Sequence, residues 1–281
     1  MQAKVIDEIN VGSKTEYSED AIGYDEKTGH FWVIDGATHV GENNIPTCFQ
    51  CNTDAEWYAK ALSQRIHEVI VTTTERFDNI LVFKHHVFPY LAQLFKTITN
   101  VSHFKLKGRD IPSAAGIIMF YDDENDALHL WSLADCRYII QQGDTLIHNL
   151  EDEGKTAEIA FGKAVKSAVN PLEKSRMARD KRNPAGNSRN FSLDDGCLTH
   201  IKHEVIDLKG KPANILLMSD GMARLSEIYN THSVQDMIKQ TKETGLSSLA
   251  SDLREYETKH ADKIPMSKPK DDAAALFIEI C

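Results

Sequence analysis

Two apolar runs that each end in Asp-Gly constrain this chain more than any other feature. HFWVIDG occupies residues 30–36 and ANILLMSDG occupies residues 213–221. Each run is long enough for a buried strand and too short for a helix of its own. Each then delivers a carboxylate to the strand end, at Asp35 and at Asp220. One reading is a turn, because Asp-Gly is a hairpin signal. The other is a ligand site, with a carboxylate held on a rigid element and a glycine that lets a cation approach the backbone. Both readings stand for Asp35 in isolation.

The rest of the chain adds more acids at strand ends. Glu19 and Asp20 open an early strand, and Asp271 and Asp272 open the last one, DDAAALFIEI. A sheet can gather such positions into one pocket. Bunched carboxylates repel one another, and burying them without cations is costly. Hard cations such as Mg²⁺ and Mn²⁺ prefer oxygen ligands. Two of them can share a water and lower its pKa, which suits hydrolysis of a phosphate ester.

Helical stripes fill the space between the strands. Residues 54–70 place Trp57, Tyr58, Ala61, Leu62, Ile66, Val69 and Ile70 on one face, with Asp54 as the expected N-cap. Residues 87–101 repeat the pattern, and residues 233–260 predict two helices around Gly245. Helices come in blocks and strands do not alternate with them, so the pattern predicts α+β with packed antiparallel sheets. No repeat or linker divides the 281 residues, so one domain is expected over 1–281. Its variable part is a basic segment around 151–198, expected as a helix and then a mobile loop. Lys174, Arg176, Arg179, Lys181, Arg182 and Arg189 cluster there. They form either a solvated face or a landing site for phosphate.

Composition excludes several classes. A net charge of -10 opposes broad binding to nucleic acid or to an anionic membrane. No apolar run reaches the roughly 20 residues that span a bilayer. The first residues, MQAKVIDEIN, do not have the form of a secretory signal. A cytoplasmic location is therefore expected. Five scattered cysteines do not suggest a disulfide framework, and the Cys48/Cys51 pair lacks a second pair for structural zinc. None of the first four cysteines has an arginine six residues on, so a thiol phosphatase is not indicated.

Five ordered blocks now carry a resemblance: SED (18–20), WVIDGAT (32–38), ADCR (134–137), ILLMSDG (215–221) and DDAAALFIEI (271–280). Their order and spacing resemble the metal-dependent protein phosphatases of type 2C, in a divergent bacterial-type form. The resemblance implies two packed antiparallel β-sheets flanked by helical layers. It implies a serine/threonine phosphatase acting on phosphorylated proteins through attack by a water held between two Mn²⁺ or Mg²⁺ ions. By that resemblance Asp35 bridges the metals, and the Gly36 carbonyl binds one of them directly or through water. Asp220 and Asp271 hold the other ion, and Glu19 or Asp20 completes the shell through water. Asp35, Asp220 and Asp271 are the implied catalytic set. Asp135 takes either a third metal or a plain turn role. The clamping arginine usual before the first block is replaced by Thr15 with Lys14 beside it. Lys14 and Arg137 are the phosphate-binding candidates, with Arg109 and the basic segment as substitutes. Ala37 stands where some members carry a histidine, and His39 lies close by. PSAAG (112–116) departs from the family block, and Asp272 could orient a metal-bound water. Two other readings follow from these departures. One is a pseudophosphatase that docks a partner, and the other is a hydrolase of a small phosphorylated molecule.

Overall fold

Both Asp-Gly runs lie inside sheets rather than at their edges. The computed structural model describes residues 1–13, 17–38, 40–41, 51–72, 81–150, 156–266 and 268–281. In chain order, β1 (Ala3–Val11), β2 (Ala21–Asp25) and β3 (His30–Gly36) precede α1 (Asp54–Thr72) and α2 (Phe88–Thr99). Then come β4 (Ala114–Asp122), β5 (Ala127–Leu133), β6 (Arg137–Gln142) and β7 (Thr145–His148). Helices α3 (Thr156–Lys166) and α4 (Pro171–Arg182) lead to β8 (Lys202–Asp207) and β9 (Ala213–Met218). Helices α5 (Asp220–Glu227), α6 (Val234–Thr244) and α7 (Leu246–Lys259) precede β10 (Ala273–Ile280).

The strands form two five-stranded sheets, ordered β1-β10-β9-β6-β7 and β2-β3-β4-β5-β8. Every neighbouring pair is antiparallel. The α+β architecture of two antiparallel sheets with helices is the one expected. Side chains alternate across each strand, so β3 serves two layers at once. Phe31 and Val33 enter the core between the sheets, with Ile117, Met119, Leu217 and Leu276. Trp32 and Ile34 point the other way, into a core shared with Leu62 and Ile66 of α1. The opposite layer packs Leu216, Met218 and Phe277 against Met237, Leu249 and Leu253 of α6 and α7. A strand covered on both faces reads as a continuous apolar run, which explains HFWVI and ANILLM.

Helix ends follow local chemistry. The Thr53 hydroxyl accepts from the Glu56 amide at 3.1 Å, so Thr53 caps α1 and Asp54 is its first residue. Ser233 and Asp236 form a reciprocal capping box at α6. Gly245, at φ +84°, makes the α6–α7 junction. Among the described residues, no helix is long and apolar enough to cross a membrane.

The basic segment holds the expected helix, as α4, and the chain after it, expected as a mobile loop, is docked. The Asn170 side chain accepts from the Glu173 amide at 3.1 Å, and Pro171 opens α4. Arg109 holds Asp180 through its Nε at 2.9 Å and through its backbone amide at 2.8 Å. Buried Asn183 donates to the carbonyls of Gly108 and Ile111. Phe191 is fully buried and exchanges two backbone hydrogen bonds with Ala114. The segment is polar because its anchors are polar, and composition alone does not distinguish that from solvation.

Candidate active site

Neither Asp-Gly step is a hairpin turn. Gly36 still pairs with Ala114 as the last residue of β3, and Gly221 sits in the first turn of α5. Neither has a positive φ. Both are glycine because backbone passes too close for a side chain. A Cβ on Gly36 would lie 2.2 Å from the Glu19 carbonyl oxygen, and one on Gly221 would lie 1.8 Å from that of Asp272. These approaches draw the starts of β2 and β10 against the ends of β3 and β9. Asp272 adds to the closure by accepting from the backbone amides of Ser13 (2.5 Å) and Glu19 (2.7 Å). It acts there on the backbone of the acidic loop.

The result is one cluster of acids. Burial raises the Asp35 carboxyl well above its ordinary range, and Asp220, Asp20, Asp135 and Asp271 push it further. Burial likewise raises Asp20; a Ser219 hydrogen bond opposes this, and the negative charges of Asp272, Asp271 and Asp220 add to it. Asp20 is 2% exposed, and its Oδ2 has no hydrogen-bond partner among the described residues. Burial also raises Asp271, while Arg224 pulls it back.

Four cations face these acids. A cavity of about 190 Å³ is lined by Asp35, Asp135, Asp220 and Asp271 and by Arg179, Arg182, Arg224 and Lys268. Arg224, one turn after Asp220, donates through Nη2 to Asp271 Oδ2. Lys268 Nζ lies 3.7 Å from Asp271 Oδ1 and donates to Thr38 Oγ1. Thr38 in turn donates to Glu19 Oε2 at 2.7 Å. Arg179 reaches in from α4. It donates to Ser113 Oγ at 2.8 Å and to the Thr38 carbonyl at 2.9 Å. Burial, reinforced by Arg182, pushes its pKa down to about 10, so it stays charged at neutral pH.

The candidates from the sequence therefore divide. Asp35, Gly36, Asp135, Asp220 and Asp271 line the cavity; Asp20 lies among the same acids, and Glu19 joins through Thr38. Ala134, beside Asp135, has φ +67°, so a turn does place that carboxylate. Arg137 is not among the described lining residues. Its Nε is 2.6 Å from Glu227 Oε1, both side chains are buried, and it joins β6 to α5. Arg109 is bound to Asp180 and Glu173 and positions α4. Of the basic cluster, only Arg179 and Arg182 reach the cavity. Arg176 turns to the Val40 carbonyl and Lys174 to that of Ala164. Lys14, Thr15, His39 and Cys48 lie outside the described residues; Cys51 is buried. Arg224 and Lys268 were not singled out from the sequence. Their signals are spacing of four residues after Asp220 and three before Asp271.

The donors suit a hard cation in part. Among the described residues, no three acid, histidine or cysteine side chains form a ready-made metal cage. Mg²⁺-like ions nevertheless bind through one or two carboxylates and keep several waters. Asp35 and Asp220, with the Gly36 carbonyl and the Asp20 Oδ2 that has no partner among the described residues, could hold such an ion. Asp271 differs, because cations of the chain already face both its oxygens.

No protein-family model matches the chain, and no curated protein matches it. Solved structures do match. The serine/threonine phosphatase PstP/Ppp of Mycobacterium tuberculosis superposes with a TM-score of 0.58 at 11% identity, covering 100% of this chain and 99% of that one. The catalytic domain of PstP in complex with two manganese ions matches at 0.57 and 10% identity, covering 100% and 99%. Stp1, a serine/threonine phosphatase of Staphylococcus aureus, matches at 0.56 and 11%, covering 100% and 96%. The chain thus has the fold of the bacterial serine/threonine phosphatases.

Proposed function

We propose that the chain is a phosphatase that releases phosphate from phosphoserine or phosphothreonine in proteins, with Mn²⁺ or Mg²⁺ as cofactor. The observation that carries this reading is one cavity lined both by carboxylates and by Arg179 and Arg182. A cation site beside an anion site is what a phosphate monoester needs. A divalent ion there would supply Lewis-acid activation of water and neutralise phosphoryl oxygens. Asp35 and Asp220 would hold it. Arg179 would orient the phosphoryl oxygens, its own fork fixed by Ser113 and Thr38. A larger hollow of about 630 Å³ adjoins through Thr38 and Lys268, with room for residues flanking the phosphate. That favours a peptide over a small molecule. Buried thiols at Cys136 and Cys197 suit a reducing, cytoplasmic setting.

The test is phosphate release from a phosphothreonine peptide with Mn²⁺, with Mg²⁺ and with EDTA, for wild type and Asp35→Asn. Metal-dependent release that EDTA and the substitution abolish is the expected result. A second reading is a docking module without turnover, favoured by the neutralisation of Asp271 by Arg224. Folded wild type that releases no phosphate under either metal would select it.

A further inference from the structure

We propose that this chain is built for one divalent cation, and that Arg224 stands as a fixed cation on Asp271 where a second ion would otherwise be needed. The inference deepens the phosphatase reading and takes its meaning from it, but its test does not depend on turnover.

The geometry begins with Asp271. Its Oδ2 accepts from Arg224 Nη2. Its Oδ1 accepts from the Asp272 amide at 3.2 Å and faces Lys268 Nζ at 3.7 Å. A metal at Asp271 would have to displace one of these. Arg224 cannot easily leave. Its side chain is 3% exposed, Asp271 is its one ion-pair partner within 4 Å among the described residues, its Nη1 reaches the Lys268 carbonyl at 3.5 Å, and Tyr229 lies beside it. A buried guanidinium stripped of its carboxylate is strongly destabilising, and it would then lie beside the incoming ion.

Charge balance points the same way. Among the described residues four carboxylates and four cations line the cavity, and Asp20 adds a fifth acid beside them. That leaves negative charge for a divalent ion to offset, while Arg224 already answers that of Asp271. The acids are also distributed unevenly. Asp35 and Asp220 line the cavity with Gly36, and neither shows the direct Arg224 hydrogen bond that Asp271 accepts. The buried Asp20 Oδ2 has no hydrogen-bond partner among the described residues.

The test is Mn²⁺ binding to the full chain, by calorimetric titration and by electron paramagnetic resonance. Wild type should bind one Mn²⁺ per chain with an uncoupled spectrum. Arg224→Ala frees Asp271 and should admit a second Mn²⁺, whereas Arg224→Lys should stay at one. Two ions per wild-type chain with a coupled-pair spectrum would overturn the proposal, as would no binding, or a folded Arg224→Ala that still binds only one. If Arg224→Ala does not fold, the wild-type stoichiometry and spectrum decide. Two ions with phosphate release would leave the phosphatase reading standing alone. One ion without release would leave only the metal inference.

Discussion

Replacing Arg179 by alanine should lower kcat/KM for a phosphopeptide roughly 150-fold, and the structure supplies the arithmetic. A guanidinium carries five N–H donors. Two bonds commit Arg179 to Ser113 and to the Thr38 carbonyl, which leaves three donors for a ligand in the cavity. A hydrogen bond to a charged partner contributes about 1.5–3 kcal/mol. Two of them, taken at the low end, give about 3 kcal/mol, and each 1.36 kcal/mol is tenfold in rate. Arg179→Lys keeps a point charge but loses the planar fork, so it should fall only about tenfold. Arg182 is exposed, and Arg182→Ala should cost less than about 1 kcal/mol. The assay is steady-state phosphate release, with Mn²⁺ affinity and circular dichroism measured on the same samples. The reasoning is refuted if folded Arg179→Ala keeps kcat/KM within about threefold of wild type, or if lysine is as poor as alanine.

Two further outcomes follow from the acids and their partners. The folded-state pKa of Asp35 is raised above its unfolded value, so its contribution to stability is present below about pH 4 and is lost as pH rises through the folded value. In EDTA, Asp35→Asn should therefore melt above wild type by a margin that grows from about pH 4 toward neutrality, and saturating Mn²⁺ should reverse the order; a margin independent of pH would contradict the assigned repulsion. Glu227→Gln removes the buried carboxylate charge 2.6 Å from Arg137 Nε and should destabilise by about 3 kcal/mol in urea titration, with KM unchanged. A raised KM at unchanged stability would return Arg137 to the phosphate-binding set.

Much of the fold was legible because its signals are local. The stripes at 54–70 and 87–101 report the period of a helix, and they became α1 and α2. The runs at 30–34 and 213–218 report strands covered on both faces. The helix of the basic segment is legible, but the anchoring of the segment is not, because Arg109–Asp180 and Asn183–Gly108 join positions more than 70 residues apart and no window contains both partners.

For the candidate site, the sequence by itself determined the chemistry on offer. It delivered carboxylates to four strand ends and placed a glycine after two of them. The tertiary structure decided how those charges are used. Gly36 and Gly221 prove to be glycines of close approach, because the Glu19 and Asp272 carbonyls press against them. Arg179 meets the Thr38 carbonyl across 141 residues, and Arg224 meets Asp271 across 47. Periodicity and turn chemistry are written in neighbouring residues. Charge pairing depends on distance in space, and only the packing of two sheets and α4 around one cavity sets that distance.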